Sequence, residues 1–241
     1  MVRCKLPALL KMYRLLFAHF GPQHWWPGRS QFEVCVGAIL TQNAAWSNVE
    51  RAIANLRRAR VLSPRAIRTL SRSHLAALIR PSGYFRVKER RLRSFVDFLW
   101  RETRGDVWRL MRAPTPFLRN RLLLVHGIGP ETADSMLLYA GGHPVFVVDA
   151  YTRRVMARHG WAQADATYDE LQEIFHAEFL ADAVVGTRIP ADNPATLELA
   201  DFFNEYHALI VAVGKQYCRP REPRCEECPL KGLLPRGGPL L

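Results

Sequence analysis

Asp149 ends an apolar run, PVFVV, and precedes AYTRR with its paired Arg153 and Arg154. An acid buried at such a place has its ionisation set by its surroundings. It can polarise a water or stabilise a developing cation. It also suits the N-cap of the helix that AYTRR begins, and the two roles are compatible. Upstream, residues 125–136 read VHGIGPETADSM. Gly127 and Gly129 supply the φ > 0 that a tight turn between helices needs, Ile128 tucks beneath the turn, and Pro130 opens the next helix where no N–H is required. The amides of the turn and of the new helix then point outward together, a site for an anion. Such a helix-hairpin-helix grips a DNA backbone phosphate without reading bases. A plain glycine-rich helix connector has the same spelling.

The five cysteines offer a second chemistry. Cys4 and Cys35 stand alone, while Cys218, Cys225 and Cys228 crowd near the end at intervals of six and two residues. An odd count with one tight cluster argues against a disulfide framework and for metal binding in a reducing compartment.

The elements that must position these groups are helical nearly throughout. Leu6, Leu9, Leu10, Tyr13, Leu16 and Phe17 recur at helical spacing. Phe32 to Leu40, FEVCVGAIL, suits a buried helix by length and by its Ala and Gly content, with a buried strand as the alternative. Helices are predicted over 48–60, 87–100, 116–125, 130–139, 167–179 and 196–214. Ser63, Ser71 and Ser73 read as N-caps of short helices, with Pro64 at a first helical position. PVFVV is the one β-like run, either a strand or an extended linker. Loops near 20–30, 80–86, 183–195 and 219–241 carry the Gly and Pro, and no internal repeat is present. The expected fold class is all-α.

With 241 residues, 49% of them hydrophobic, the chain can form one domain or two lobes around a real core. It has no run of eighteen apolar residues, so no membrane span is expected. The N-terminal segment, with Lys5, Lys11 and Arg14 scattered through it, reads as an amphipathic helix and not a signal peptide. A cytoplasmic, nucleoid-associated location is therefore expected. The net charge of +12 and pI near 10.0 favour a polyanionic partner, most commonly nucleic acid. Lysines are few: Lys5, Lys11, Lys88, Lys215 and Lys231.

LLLVHGIGPETA, followed by VFVVDAYTRRV, resembles the helix-hairpin-helix/Gly-Pro-Asp DNA glycosylase superfamily in its endonuclease III branch. QFEVCVGAILTQN is similar to that family's first core helix and turn, and GYFRVKERR to its G-x-x-x-x-K segment. YHALIVAVGKQYC and the two later cysteines resemble the approach to its iron–sulfur loop. The resemblance spans most of the chain. It implies two all-α lobes with a cleft between them. One is a six-helix barrel over 28–134, and the other combines 1–27 with 135–241. The hairpin falls at about 116–139, and Asp149 faces the cleft. There double-stranded DNA is bent and a damaged nucleotide is flipped out. A monomer is implied.

The same resemblance sorts the residues into roles. In bifunctional members the residue before the Thr-Ala pair is a lysine that forms a Schiff base with C1′. Here that residue is Glu131, which has no amine, so base removal without strand cleavage is implied. Asp149 then stabilises the oxocarbenium-like sugar and orients or deprotonates water. Glu131 also fits a solvent-exposed acid in the first turn of a helix. Trp25, Trp26, Pro27 and Trp46 are similar to the base pocket of the endonuclease III-type 3-methyladenine glycosylases. Each stack there is worth about 1–3 kcal/mol and favours a cationic alkylated base. A core or lobe-interface position is the other reading for these tryptophans. Gln42, Asn43 and Tyr84 correspond to residues that fill the hole left by the flipped base. Asn43 and Tyr84 align best, and Gln42 and Asn43 also suit helix caps. Phosphate contacts fall to Gly127, Ile128, Gly129, Thr132, Arg153 and Arg154, with Arg219, Arg221 and Arg224 serving phosphates near the cysteines.

The family's [4Fe–4S] loop ends on a fourth cysteine five residues after the third, and Leu234 stands there instead. Three readings follow: a cluster on Cys218, Cys225 and Cys228 with an external or carboxylate ligand, a labile or three-iron cluster, or a loop that is metal-free or binds zinc. Three functions compete with removal of an alkylated purine. They are a T:G or U:G mismatch glycosylase, a lyase for oxidised pyrimidines, against which Glu131 counts, and a non-catalytic helix-hairpin-helix DNA-binding protein, against which Asp149 and the tryptophans count.

Overall fold

The computed structural model describes residues 7–183 and 199–240. Cys4, Lys5 and Leu6 lie outside the described residues, as do most of the expected 183–195 loop and the start of the helix expected from 196. Every regular element among the described residues is helical.

Residues Trp26–His143 form one compact unit. Its central element is α2 (Gln31–Leu40), buried at nine of its ten positions. A helix apolar all round has to sit inside. Ser30 caps it by accepting from the Glu33 amide at 3.2 Å. Around it run α3 (Trp46–Arg58), α4 (Pro64–Thr69), α5 (Arg72–Leu78), α6 (Phe85–Thr103), α7 (Val107–Met111), α8 (Thr115–Leu123) and α9 (Pro130–Ser135). Ser63 and Ser71 cap α4 and α5 as their spacing predicts. Ser73 does not cap a helix: it lies inside α5, because Ser71 already accepts from the His74 amide. On α6, Leu92, Phe95, Val96 and Leu99 are buried, the face expected from their spacing.

The other unit is made of the described residues of Met1–Trp25 and Pro144–Leu241. It contains α1 (Pro7–Phe20), α10 (Ala150–Arg158), α11 (Tyr168–Ala183) and α12 (Leu199–Gln216). Aromatic rings fill its core. Phe146 stacks on Phe175 at 3.7 Å, and Phe202, Phe203 and Tyr206 close around them. The PVFVV segment resolves as an extended linker. Its Phe146 amide donates to His176 Nε2 at 3.0 Å and its Phe146 carbonyl accepts from Gln172 at 2.7 Å. Side chains of α11 thus take the backbone bonds that a neighbouring strand would otherwise supply.

The units divide at 25/26 and 143/144, whereas boundaries at 27/28 and 134/135 were expected. The reason lies in α9. It runs without a break into a π-type turn, Met136–Ala140, which packs on α2 and keeps the whole helix in the first unit.

One buried ion pair ties α8 to α9 across the hairpin. Arg119 donates twice to Asp134, at 2.8 and 3.1 Å, and the Asp134 side chain is fully buried. Removing one partner of such a pair leaves a buried charge uncompensated, at a cost of about 3–5 kcal/mol. Arg119→Ala is therefore expected to lower the unfolding free energy by about 3 kcal/mol in urea titrations. The exposed Arg65→Ala should change it by less than about 0.5 kcal/mol. Equal losses for the two variants would remove the pair from any role in the hairpin's stability.

Candidate active site and hairpin

The hairpin turn keeps one of its two expected left-handed glycines. Gly127 has φ +83°, and a Cβ there would lie 2.2 Å from the Arg91 side chain. Gly129 instead has extended backbone, φ −96° and ψ −179°, as the N-cap of α9. A Cβ on Gly129 would meet nothing within 4 Å, so the protein itself leaves that surface open. Ile128 is buried beneath the turn, as expected.

Gln42, expected either to fill the hole left by a flipped base or to cap a helix, bonds within its own unit. Its Nε2 donates to the Gly127 carbonyl at 3.0 Å and to Thr132 Oγ1 at 2.8 Å, and its Oε1 accepts from Arg91. Both ends of its amide are engaged within the protein. Thr132, expected to contact a phosphate, is buried and its hydroxyl accepts from Gln42. Asn43 and Tyr84 remain at the surface. Asn43 is exposed with φ +51°, and Tyr84 is 72% exposed with φ +44°. Left-handed backbone at non-glycine residues is strained and gathers at functional sites.

The lysine of the G-x-x-x-x-K segment explains how these two turns are held. Lys88 is 1% exposed, and its Nζ donates to the Leu40 carbonyl at 2.7 Å and the Ser82 carbonyl at 2.6 Å. Leu40 ends α2 just before Gln42 and Asn43, and Ser82 precedes Gly83 and Tyr84. One buried ammonium therefore pins both surface turns. Burial and then the Arg91 charge push its pKa down to about 8.

Trp26 and Trp46 meet in this unit, edge to face at 4.8 Å, and Trp26 also lies 4.9 Å from the Tyr139 ring at a tilt of 31°. Gly37 of α2 lets the Trp26 ring approach, since a Cβ there would be 3.2 Å from Trp26 Cζ2. Tyr139, on the π-type turn, was not singled out in the sequence. Such turns often mark functional sites, but no spacing rule announces one. Pro27 is exposed. Glu131 is exposed in the first turn of α9, where a negative charge is favoured by the helix dipole.

In the second unit Asp149 is the N-cap of α10. Its Oδ1 accepts from the Thr152 amide at 2.8 Å and from Thr152 Oγ1 at 3.1 Å, and its Oδ2 lies 3.6 Å from His207 Nε2. The side chain is 15% exposed. Burial by itself raises its pKa. The His207 charge and hydrogen bond, with the two Thr152 bonds, outweigh burial and hold the carboxyl below its ordinary value. His207, buried on α12, is the functional neighbour that sequence reading missed. Its segment drew attention only as the approach to the cysteines. Trp25, in this unit, has Lys215 Nζ 5.7 Å from its ring centre.

Arg153 and Arg154, expected to contact phosphates, both donate to backbone carbonyls of their own unit. Arg153 donates to the Ala166 carbonyl, and Arg154 to the carbonyls of Cys218 at 2.6 Å and Gly214 at 3.2 Å. Backbone carbonyls at the ends of loops and helices have taken both guanidiniums. Cys218, Cys225, Cys228 and Leu234 all line one cavity, so the loop closes with leucine at the fourth corner. Arg158 spans this loop, donating to Cys218 Sγ at 3.4 Å and to the Arg219 carbonyl at 2.7 Å. Among the described residues, no three His, Cys, Asp or Glu side chains are grouped so as to hold a metal ion.

Residues 36–179 match the family described as "HhH-GPD superfamily base excision DNA repair protein". A putative DNA repair glycosylase of Methanocaldococcus jannaschii is 40% identical over 229 residues, covering 94% of this chain and 96% of the relative. Endonuclease III of Thermotoga maritima is 26% identical over 203 residues, 83% of this chain and 80% of the relative. Among solved structures, the H. pylori 3-methyladenine DNA glycosylase bound to 1,N6-ethenoadenine has a TM-score of 0.72 at 29% identity, covering 88% of this chain and 95% of that one. An endonuclease III–DNA complex has a TM-score of 0.76 at 20% identity, covering 95% of each chain, and shares the fold.

The Lys88 tie has a measurable titration. Between about pH 8 and the ordinary lysine value near 10.4, the unfolded chain keeps its proton while the native chain releases it, so stability gains as pH rises. Unfolding titrations of the native chain and Lys88→Met should therefore separate across that window. The native chain should gain relative to the variant by up to about 1.4 kcal/mol per pH unit. Parallel curves would mean that burial leaves the lysine's affinity for its proton unchanged.

Proposed function

Because the chain belongs to the HhH-GPD superfamily of base excision DNA repair proteins, as a DNA glycosylase, we propose that it is monofunctional and excises an alkylated purine such as 3-methyladenine from double-stranded DNA. The observation that carries this reading is the Asp149 carboxylate, held ionised by His207 and Thr152 at the head of α10. A carboxylate with a low pKa is a weak base at neutral pH and a good fixed negative charge. That suits a dissociative route. The C1′–N bond breaks, its electron pair leaves with the base, and Asp149 faces the positive charge growing on the sugar. Water then adds at C1′ and loses a proton. Water attacking a cation is acidic enough that a weak base suffices to orient it and take the proton.

An alkylated purine fits this modest chemistry. Its positive charge already makes the base a good leaving group, so selection by stacking matters more than strong acid catalysis. Trp26, Trp46 and Tyr139 supply aromatic faces that attract a cationic ring. The 29% identical neighbour, a 3-methyladenine DNA glycosylase solved with 1,N6-ethenoadenine, supports a modified adenine as the substrate class. Glu131 stands where the family resemblance implies a lysine in strand-cleaving members, and it has no amine with which to form a Schiff base. The open surface at Gly129 and the φ of Gly127 serve a backbone phosphate. Asn43 and Tyr84, presented on left-handed backbone, serve to fill the hole in the duplex.

Duplexes carrying 3-methyladenine, a T:G mismatch or thymine glycol test this directly. Base release from the alkylated duplex alone is expected, with strand breaks appearing only after alkali. Breaks without alkali, or trapping by borohydride, would overturn the monofunctional reading, and release confined to T:G or thymine glycol would overturn the substrate. Asp149→Asn is expected to lose about 10²–10⁴-fold in rate while binding DNA normally.

His207 acts as a positioning residue for that carboxylate, and its signature is a pH profile. With the Asp149 carboxyl held below its ordinary value near 3.9, kcat/KM should stay level down to about pH 5. In His207→Ala the opposing charge is lost while burial remains, so the acidic limb should move upward. An acidic limb that stays in place while the rate falls would reduce His207 to packing.

A further inference from the structure

The positive charge of the chain is not spread evenly. Trp26–His143 carries 20 lysines and arginines against eight aspartates and glutamates, so the whole +12 falls in this unit. Part of it gathers at the end remote from the turns of Asn43 and Tyr84. From just after the Asn43 turn, α3 runs 13 residues, about 20 Å, and ends shortly before Arg60. From Tyr84, α6 runs 19 residues, about 28 Å, to Arg104. These far ends meet at the start of α4. That helix packs on α6, and a Cβ on Gly105 would lie 3.4 Å from Pro64 Cβ. Arg60, Arg65, Arg101 and Arg104 are all exposed here.

Local structure does not call for all of these charges. The helix dipole favours a cation at the end of α6, but Arg65 stands in the first turn of α4, where a cation is disfavoured. Arg60 and Arg104 each have φ +58°, a left-handed position that helix ends usually give to glycine or asparagine. The carboxylates nearest in sequence are engaged elsewhere. Asp97 lies 3.7 Å from Arg68, Glu102 pairs with Arg121, and Asp106 accepts from the Arg109 amide at 3.0 Å. The following helix, α7, adds Trp108, 59% exposed, with the Arg112 guanidinium 4.8 Å from its ring centre. Exposed guanidiniums beside an exposed aromatic face suit a nucleic-acid backbone.

We propose that Arg60, Arg65, Arg101 and Arg104 form a second DNA-binding surface, which holds another segment of DNA while the turns at the opposite end meet the first. The proposal rests on the glycosylase reading only for which end meets the lesion. A chain that holds two segments can pass from one to the other without entering free solution.

Native mass spectrometry of the full chain with excess short, undamaged duplex tests this. One protein with two duplexes is expected at low salt, the second dissociating first as salt rises. A parallel arm offers a single strand as the second segment, and the tighter of the two identifies the form preferred. Arg60→Asn, Arg65→Gln, Arg101→Gln and Arg104→Asn together remove the charge, with asparagine placed where the backbone is left-handed. This variant should bind the first duplex within about twofold of the native chain and the second at least about tenfold more weakly. The salt slope of the second event should fall by about 3–4. If the variant fails to fold, Arg65→Gln with Arg101→Gln should still weaken the second event at least about threefold. Equal weakening of both events would place these arginines on the flank of the first duplex and overturn the proposal. So would undiminished capture by the variant, or a second duplex bound only through a second protein chain. Displacement by polyglutamate as effective as by DNA at matched charge would overturn DNA as the occupant. None of these readouts needs a damaged base, so their failure is distinct from failure of the glycosylase reading.

Discussion

The side-chain amide of Gln42 sits where the end of α2, the glycine turn and α6 come together. It donates to Gly127 and Thr132 and accepts from Arg91, so three elements share one amide. A buried polar network of this kind stabilises only when every member is satisfied, and it then admits one geometry. The consequences reach the surface. With Gln42 turned inward, Asn43 is the residue its turn presents, and Lys88 sets that turn against the one bearing Tyr84. The Arg119–Asp134 pair fixes the other side of the hairpin. The exposed turns owe their shape to polar bonds beneath them.

Charge in this molecule serves two purposes that a net value merges. The +12 balance points to a polyanion. Several guanidiniums are nonetheless occupied inside the protein. Arg93 donates to carbonyls at the end of α4 and beyond it, at Ile67, Arg68 and Leu70, and Arg153, Arg154 and Arg158 do the same around α10. A fold of many short helices has many unpaired terminal carbonyls, and a long, forked donor suits them. The arginine content therefore serves helix ends as well as the net charge, since a guanidinium bonded to a carbonyl is fixed in place but keeps its charge.

The candidate chemistry follows a similar economy. Asp149 caps its helix and faces His207 with the same carboxylate, so the bonds that make it a cap also keep it ionised. Burial, which taken alone would raise its pKa, is outweighed by these partners. A residue in this state favours charge stabilisation over proton abstraction.

Local features were readable directly from the chain. The caps at Ser63 and Ser71, the buried helix at Phe32–Leu40, the turn at Gly127 and the cap at Asp149 depend on neighbours a few residues away, and spacing encodes them. So does the lack of an amine at Glu131. The alternatives that spacing left open were settled by partners distant in sequence. PVFVV is a linker because α11 satisfies its backbone, Gln42 is a bracket because residues 127 and 132 come to it, and Arg154 is a clamp because Cys218 lies within reach. Tyr139 and His207 gained their significance in the same way. Periodicity records which face of a helix is apolar, whereas the meeting of two polar atoms far apart in the chain is decided only when the core packs and brings them together.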